Sequence, residues 1–147
     1  VRRELNYWLP PIAWAIVILL ASTDLFSSSN TSGVLQRIAV TIFGHQLAPA
    51  TAAMLNFLMR KTAHLTEYGI LSALMFRALR GEKRSWNPRW AIGAIVFAAA
   101  IASIDEIHQS FVPSRTGTWH DALLDTAGAA IAQIIIRAAQ VLLFRPS

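Results

Sequence analysis

Long charge-free runs alternate with short charged clusters along this chain. Leu5 to Thr23 is nineteen residues without a charge. At about 1.5 Å per residue, a helix of that length covers most of the ~30 Å hydrocarbon core of a bilayer. Tyr7, Trp8 and Trp14 suit an interfacial anchor near its start. Pro10 and Pro11 fit near a helix N-terminus and not in mid-helix. Asp24 and the run Ser27 to Thr31 predict a polar loop after this first span. Val34 to Phe43 is apolar but too short to cross, contains Gln36 and Arg37, and is bounded by Gly44 and Pro49. It reads as a helix lying in the interface. Ala52 to Met59 is apolar, Arg60, Lys61, His64 and Glu67 follow within eight positions, and Ile70 to Phe76 is apolar again. The second crossing is expected over roughly Ala63 to Phe76, with Ala52 to Lys61 leading in as an interfacial or extended helix. The third is expected over Trp90 to Ile104 and the fourth over about Trp119 to Phe144. The pattern predicts an all-α integral membrane protein. It has four transmembrane helices plus one short extracytoplasmic interfacial helix, as a single domain over residues 1–147.

Composition supports the pattern. The chain is 54% hydrophobic and only 14% charged, against about 25% charged for an average soluble domain. With no cysteine, disulfides and thiolate chemistry are excluded. A net charge of +5 does not imply nucleic acid, because most of the positive charge flanks apolar spans. Arg2, Arg3, Arg77, Arg80, Lys83, Arg84, Arg89, Arg137 and Arg145 fall on one side, nine of the thirteen basic residues. The positive-inside rule places that side, and both termini, in the cytoplasm.

Acidic residues contribute little to that rule, yet they are also one-sided. Asp24, Glu67, Asp105, Glu106, Asp121 and Asp125, six of the eight, fall at the outer side with all four histidines. Their densest stretch is Asp105 to Asp121, between two apolar runs. Arg60, His64 and Tyr68 recur every four positions, so they share a helical face, with Lys61 and Glu67 beside it. Asp105, His108 and Gln109 stand at i, i+3 and i+4, and Asp121 and Asp125 at i and i+4. Ionisable groups are costly against lipid, so they are expected to face inward and pair across helices. This predicts a shallow polar pocket at the outer leaflet, formed by spans two, three and four.

Three blocks carry a family resemblance. They are Arg60-Lys61-Thr62-Ala63-His64-Leu65-Thr66-Glu67-Tyr68; Asp105-Glu106-Ile107-His108-Gln109-Ser110-Phe111-Val112-Pro113-Ser114-Arg115; and Asp121 before a glycine-containing apolar helix. Their order and spacing resemble the VanZ-like family. The resemblance implies a small bacterial membrane protein of the cytoplasmic membrane, and a link to resistance against teicoplanin, a lipid-tailed glycopeptide.

Three classes of function fit these residues. In the first, the pocket binds a membrane lipid or lipid-linked envelope precursor. Arg60, Lys61 and Arg115 meet phosphate or carboxylate, and His64, Tyr68, Asp105, Glu106, Gln109 and Asp121 complete the site. In the second, the protein is a membrane enzyme, with Asp105, Glu106 or His108 in proton transfer and Asp105 orienting His64 or His108. Ser110 and Ser114 lack the turn of a serine nucleophile. In the third, the charges only lock helices together: Asp121 caps span four through Thr118-Trp119-His120-Asp121, Asp125 pairs with Lys61 or Arg60, and Arg115 bonds Asp105 or Glu106. Gly128 reads as a close-packing position. No H-x-x-x-H or H-E-x-x-H pair is present, and two cations border the cluster, so neither a metal nor another cofactor is expected.

Overall fold

Pro88 begins a helix whose first turn is closed by the Asn87 side chain, which accepts from the Arg89 amide at 2.9 Å. Proline suits this position because its missing N–H would have no helical partner there. The same device opens the longest helix at Pro49. A computed structural model describes residues 2–22, 28–111 and 118–143. Among them the elements are α1 (Arg2–Ala21), α2 (Ser28–Phe43), α3 (Pro49–Arg80), α4 (Pro88–Ser110) and α5 (Trp119–Leu143). Gly44 and Gly81 follow α2 and α3 with φ of 75° and 58°, a left-handed turn that glycine adopts without a Cβ penalty.

Three helices, α1, α4 and α5, are long and apolar enough to cross a membrane, and α2 is a shorter apolar helix. The protein is a multi-pass membrane protein. At ~1.5 Å per residue, the 32 residues of α3 extend about 48 Å, with Arg60, Lys61, His64 and Glu67 near its middle.

Four expected boundaries change. Helix α1 starts at Arg2, so Pro10 and Pro11 lie inside it. Pro10 leaves the Asn6 carbonyl without its i+4 amide, and that oxygen accepts from Arg77 Nη1 at 3.4 Å. Such substitute partners are why prolines persist in membrane helices. Helix α2 begins at Ser28, where a loop was expected through Thr31; serine and asparagine favour helix starts as readily as loops. Helix α3 is one continuous element, because charge does not break a helix and no proline follows Pro49 within it. Helix α4 runs six residues past Ile104 to Ser110, so the acidic block is helical.

That extension positions the site. Ala91, Ala94, Ala98 and Ala102 are buried along one face of α4, and the same face continues through Asp105 and Gln109. The small side chains let neighbouring helices come close, as apolar interfaces in membranes favour. Tyr68, Leu71 and Phe76 of α3 and Ala129 of α5 are buried in the two core clusters that these alanines help to form. Gly128 gives the closest approach: an added Cβ would lie 2.4 Å from the Leu65 carbonyl oxygen. Its expected packing role is seen directly. Helix α1 joins through Ile18 and through the Trp14 indole, which donates to the Glu67 carbonyl at 2.9 Å. Gln36 of α2 clamps the α2–α3 connection, accepting from the Leu47 amide at 2.9 Å and donating to its carbonyl at 3.2 Å.

The two ends of the bundle differ in chemistry. At one end Arg77 lies over Tyr7, Arg80 over Phe76, Lys83 over Trp90 and Arg137 over Trp86, at 4.9–5.8 Å from the ring centres. Asp105, Glu106, Asp121, Asp125 and His64 gather toward the other.

Candidate functional site

Each helix brings polar groups to this second end along its buried face. On α5 the face is Asp121, Asp125, Gly128 or Ala129, then Gln133; on α3 it is Lys61, His64, Tyr68, then Leu71 or Ser72. Helices α3 and α5 run parallel, with Lys61 beside Asp121 and Ser72 beside Gln133, and α4 runs antiparallel to both, which sets the polar parts of the three helices side by side.

Asp105 is fully buried. One carboxylate oxygen accepts from Gln109 Nε2 at 2.9 Å and from the Tyr68 hydroxyl at 3.3 Å, while Oδ1 has no partner among the described residues. Gln109 also lies 3.5 Å from Ser22 Oγ at the end of α1. Asp125, likewise fully buried, places Oδ1 3.3 Å from His64 Nδ1. The His64 and Tyr68 rings stack, with centroids 6.5 Å apart. Lys61 pairs with Asp121 and lies 5.5 Å from the Phe57 ring. Lys61 thus pairs with Asp121 across α3 and α5, and Tyr68 with Asp105 across α3 and α4.

Arg60, Lys61, His64, Gln109, Asp121 and Asp125 border a cavity of about 170 Å³, with Phe57 and Leu124 as its apolar wall. That is several times the ~30 Å³ share of one water. Lys61 is engaged by Asp121 and His64 by Asp125. Among the described residues, Arg60 has no carboxylate partner. Among the described residues, the cavity thus offers a guanidinium with no carboxylate partner beside the Lys61–Asp121 pair and the His64–Asp125 contact, a surface for a phosphate or carboxylate.

Other candidates are placed elsewhere. Glu106 is buried but turns to the start of α5, where its Oε2 accepts from the Thr118 amide at 2.7 Å. His108 is exposed, because position 108 falls off the alanine face. His45 and His120 are exposed too. The Asp121 carboxylate turns to Lys61. Arg115, Ser114 and Asp24 lie outside the described residues. Among the described residues, no three histidine or carboxylate side chains converge as metal ligands.

Sequence reasoning missed two partnerships. Asp125 was matched to Lys61 or Arg60, and Asp105 to His64 or His108; the structure sets His64 against Asp125 and leaves His108 exposed. Gln133 donates to the Ser72 hydroxyl at 2.8 Å and to its carbonyl at 3.1 Å, in the middle of the α3–α5 contact. The signal for it was present: Gln133 stands eight residues after Asp125, on the same face of an otherwise apolar helix.

The model of the VanZ/LLP1 family matches residues 7–143, nearly the whole chain. The chain belongs to the VanZ/LLP1 family. No curated protein and no solved structure matches it. Both long sequence blocks that resembled this family converge here: Arg60 to Tyr68 on α3 and Asp105 to Gln109 on α4.

Proposed function

We propose that this VanZ-family protein binds an anionic headgroup of a membrane lipid or lipid-linked envelope precursor in the cavity between α3, α4 and α5. The observation that carries the reading is Arg60, a cation beside an open cavity with no carboxylate partner among the described residues. A pure helix lock would leave neither the cavity nor the unmatched charge. Phe57 and Leu124 supply apolar surface where a lipid tail leaves the headgroup. In this reading α3 is the fourth span, its charged middle sheltered by α4 and α5, and the cavity opens toward the outer leaflet. Both termini are cytoplasmic, with the cationic, tryptophan-rich end inside, in the bacterial cytoplasmic membrane. Family membership supports a link to teicoplanin resistance, through a lipid that the glycopeptide or its target also engages.

Binding of short-chain phosphatidylglycerol and phosphatidylcholine to the purified protein, read by native mass spectrometry, tests the proposal. Phosphatidylglycerol binds preferentially, and Arg60→Gln lowers its affinity about tenfold, as loss of one charge-assisted contact of ~1.5 kcal/mol requires. Equal binding by both proteins rejects it.

A second reading, a membrane enzyme, is favoured by one observation: His64 Nδ1 and the buried Asp125 carboxylate approach to 3.3 Å at the cavity edge, the two residue types that a general base and its orienting carboxylate require. Turnover of a lipid-linked phosphate ester, lost in both His64→Gln and Asp125→Asn, is the result that would select it.

A further inference from the structure

Glu106 takes no part in that cavity. It faces a second hollow of about 320 Å³ between α4 and α5, which shares no residue with the first. Ile107, Trp119 and Ala122 form its apolar walls, and Ser103 and Ser110 stand at its sides.

The groups here have unequal commitments. Glu106 is only 7% exposed, and its Oε2 accepts from the Thr118 amide. Its Oε1 is buried and has no hydrogen-bond partner among the described residues. Each serine hydroxyl has one proton, and both are used within α4: Ser103 donates to the Ala99 carbonyl at 2.9 Å and Ser110 to the Ile107 carbonyl at 2.6 Å. The unmet demand of the hollow is therefore for a hydrogen-bond donor at a carboxylate oxygen. An isolated buried carboxylate is costly, and a bound cation with N–H groups relieves that cost. Trp119 is 66% exposed and Ile107 62% exposed, so the hollow opens beside apolar surface. An indole face also attracts an ammonium group.

We propose that the α4–α5 hollow is a second site, in which Glu106 binds the primary ammonium group of an amphiphile against Trp119. A quaternary ammonium cannot supply the missing N–H donor, so ethanolamine-type headgroups bind and choline-type ones do not. The ammonium comes either from an aminophospholipid of the bilayer or from a free amphiphilic amine.

Native mass spectrometry of the full chain in non-ionic detergent separates these cases. The probes are short-chain phosphatidylethanolamine, phosphatidylcholine and dodecylammonium. Phosphatidylethanolamine is expected to bind at least tenfold more tightly than phosphatidylcholine. Glu106→Gln keeps an acceptor for the Thr118 amide but removes the charge, and should lower amine binding about tenfold. Phosphatidylglycerol binding should persist in that variant, and amine binding should persist in Arg60→Gln. Ser103→Leu fills the hollow from its exposed edge and should give the same loss with Glu106 intact, which guards against a folding defect in Glu106→Gln. Dodecylammonium binding that depends on Glu106, without phosphatidylethanolamine binding, supports the site and assigns it to free amines. Equal binding of ethanolamine and choline lipids, or amine binding unchanged in both Glu106→Gln and Ser103→Leu, overturns the proposal.

Discussion

Replacing Gly128 by alanine drives a methyl group into the backbone of α3. The new Cβ would lie 2.4 Å from the Leu65 carbonyl oxygen, 2.9 Å from its Cα and 3.0 Å from its carbonyl carbon. Ordinary contact begins near 3.4 Å, so α3 and α5 must part by about 1 Å, and no side-chain rotation relieves backbone atoms. Alanine gains about 0.5–1 kcal/mol over glycine within a helix. The displacement acts against that gain. It also stretches the pairs that link these two helices: Lys61 with Asp121, His64 with Asp125 and Ser72 with Gln133. Overpacking of this kind costs roughly 1–3 kcal/mol, and the lost contacts add to it, so the net effect is a loss of roughly 1–3 kcal/mol. Two other glycines serve as controls. At Gly93 the added Cβ meets only the rotatable Leu79 Cδ1 at 3.1 Å, and at Gly69 it meets the Gly128 carbonyl oxygen at an ordinary 3.4 Å. Reversible unfolding in mixed micelles, followed by circular dichroism, gives the three stabilities. Gly128→Ala should be clearly the least stable. If it lies within about 0.5 kcal/mol of Gly93→Ala, the close approach of α3 and α5 is not as described.

Two further outcomes follow from the same packing. Single cysteines at Ser85, after α3, and Ser110, at the end of α4, should differ in intact cells: an impermeant thiol reagent labels Ser110→Cys and not Ser85→Cys, and the reverse pattern refutes the orientation. Asp105→Ala strands the Tyr68 hydroxyl and the Gln109 amide in the core and should cost roughly 1–3 kcal/mol per stranded donor; Asp105→Asn keeps one acceptor oxygen for both and should unfold near the parent, so equal losses in the two variants would contradict the assigned hydrogen bonds.

Much of the architecture was legible because membrane helices write their length in charge-free runs. Helices α1 and α4 are each visible as such a run, α5 as an apolar run that begins after Asp125 and is broken at Arg137, and α2 as an apolar run too short to cross. Boundaries were less legible wherever polarity stood in for helix breaking. The acidic block after Ile104 reads as a loop by composition, yet its i, i+4 spacing continues the alanine face of α4 and keeps it helical. Arg60 and Lys61 left open whether Ala52 to Lys61 lies in the interface or extends the span, and α3 takes the extended form because charge alone does not break a helix. Spacing placed Tyr68, Asp105 and Gln109 on faces that meet, but spacing on single helices cannot give the register between helices. That register depends on Gly128 against Leu65, a three-dimensional contact, and it decides that His64 meets Asp125. His108 stays exposed for a different reason, because position 108 falls off the buried face of α4.

The claim that the α3–α5 cavity holds an anionic lipid headgroup is tested most directly by capture in the membrane. A photoreactive phenylalanine analogue at Leu124, on the cavity wall, is irradiated in intact membranes, and the cross-linked lipid is identified by mass spectrometry. The account predicts adducts dominated by phosphate-bearing anionic lipids or lipid-linked precursors, reduced about tenfold when Arg60→Gln is added, in line with one lost charge-assisted contact of ~1.5 kcal/mol. Adducts that mirror the bulk lipid composition, unchanged by Arg60→Gln, would contradict it.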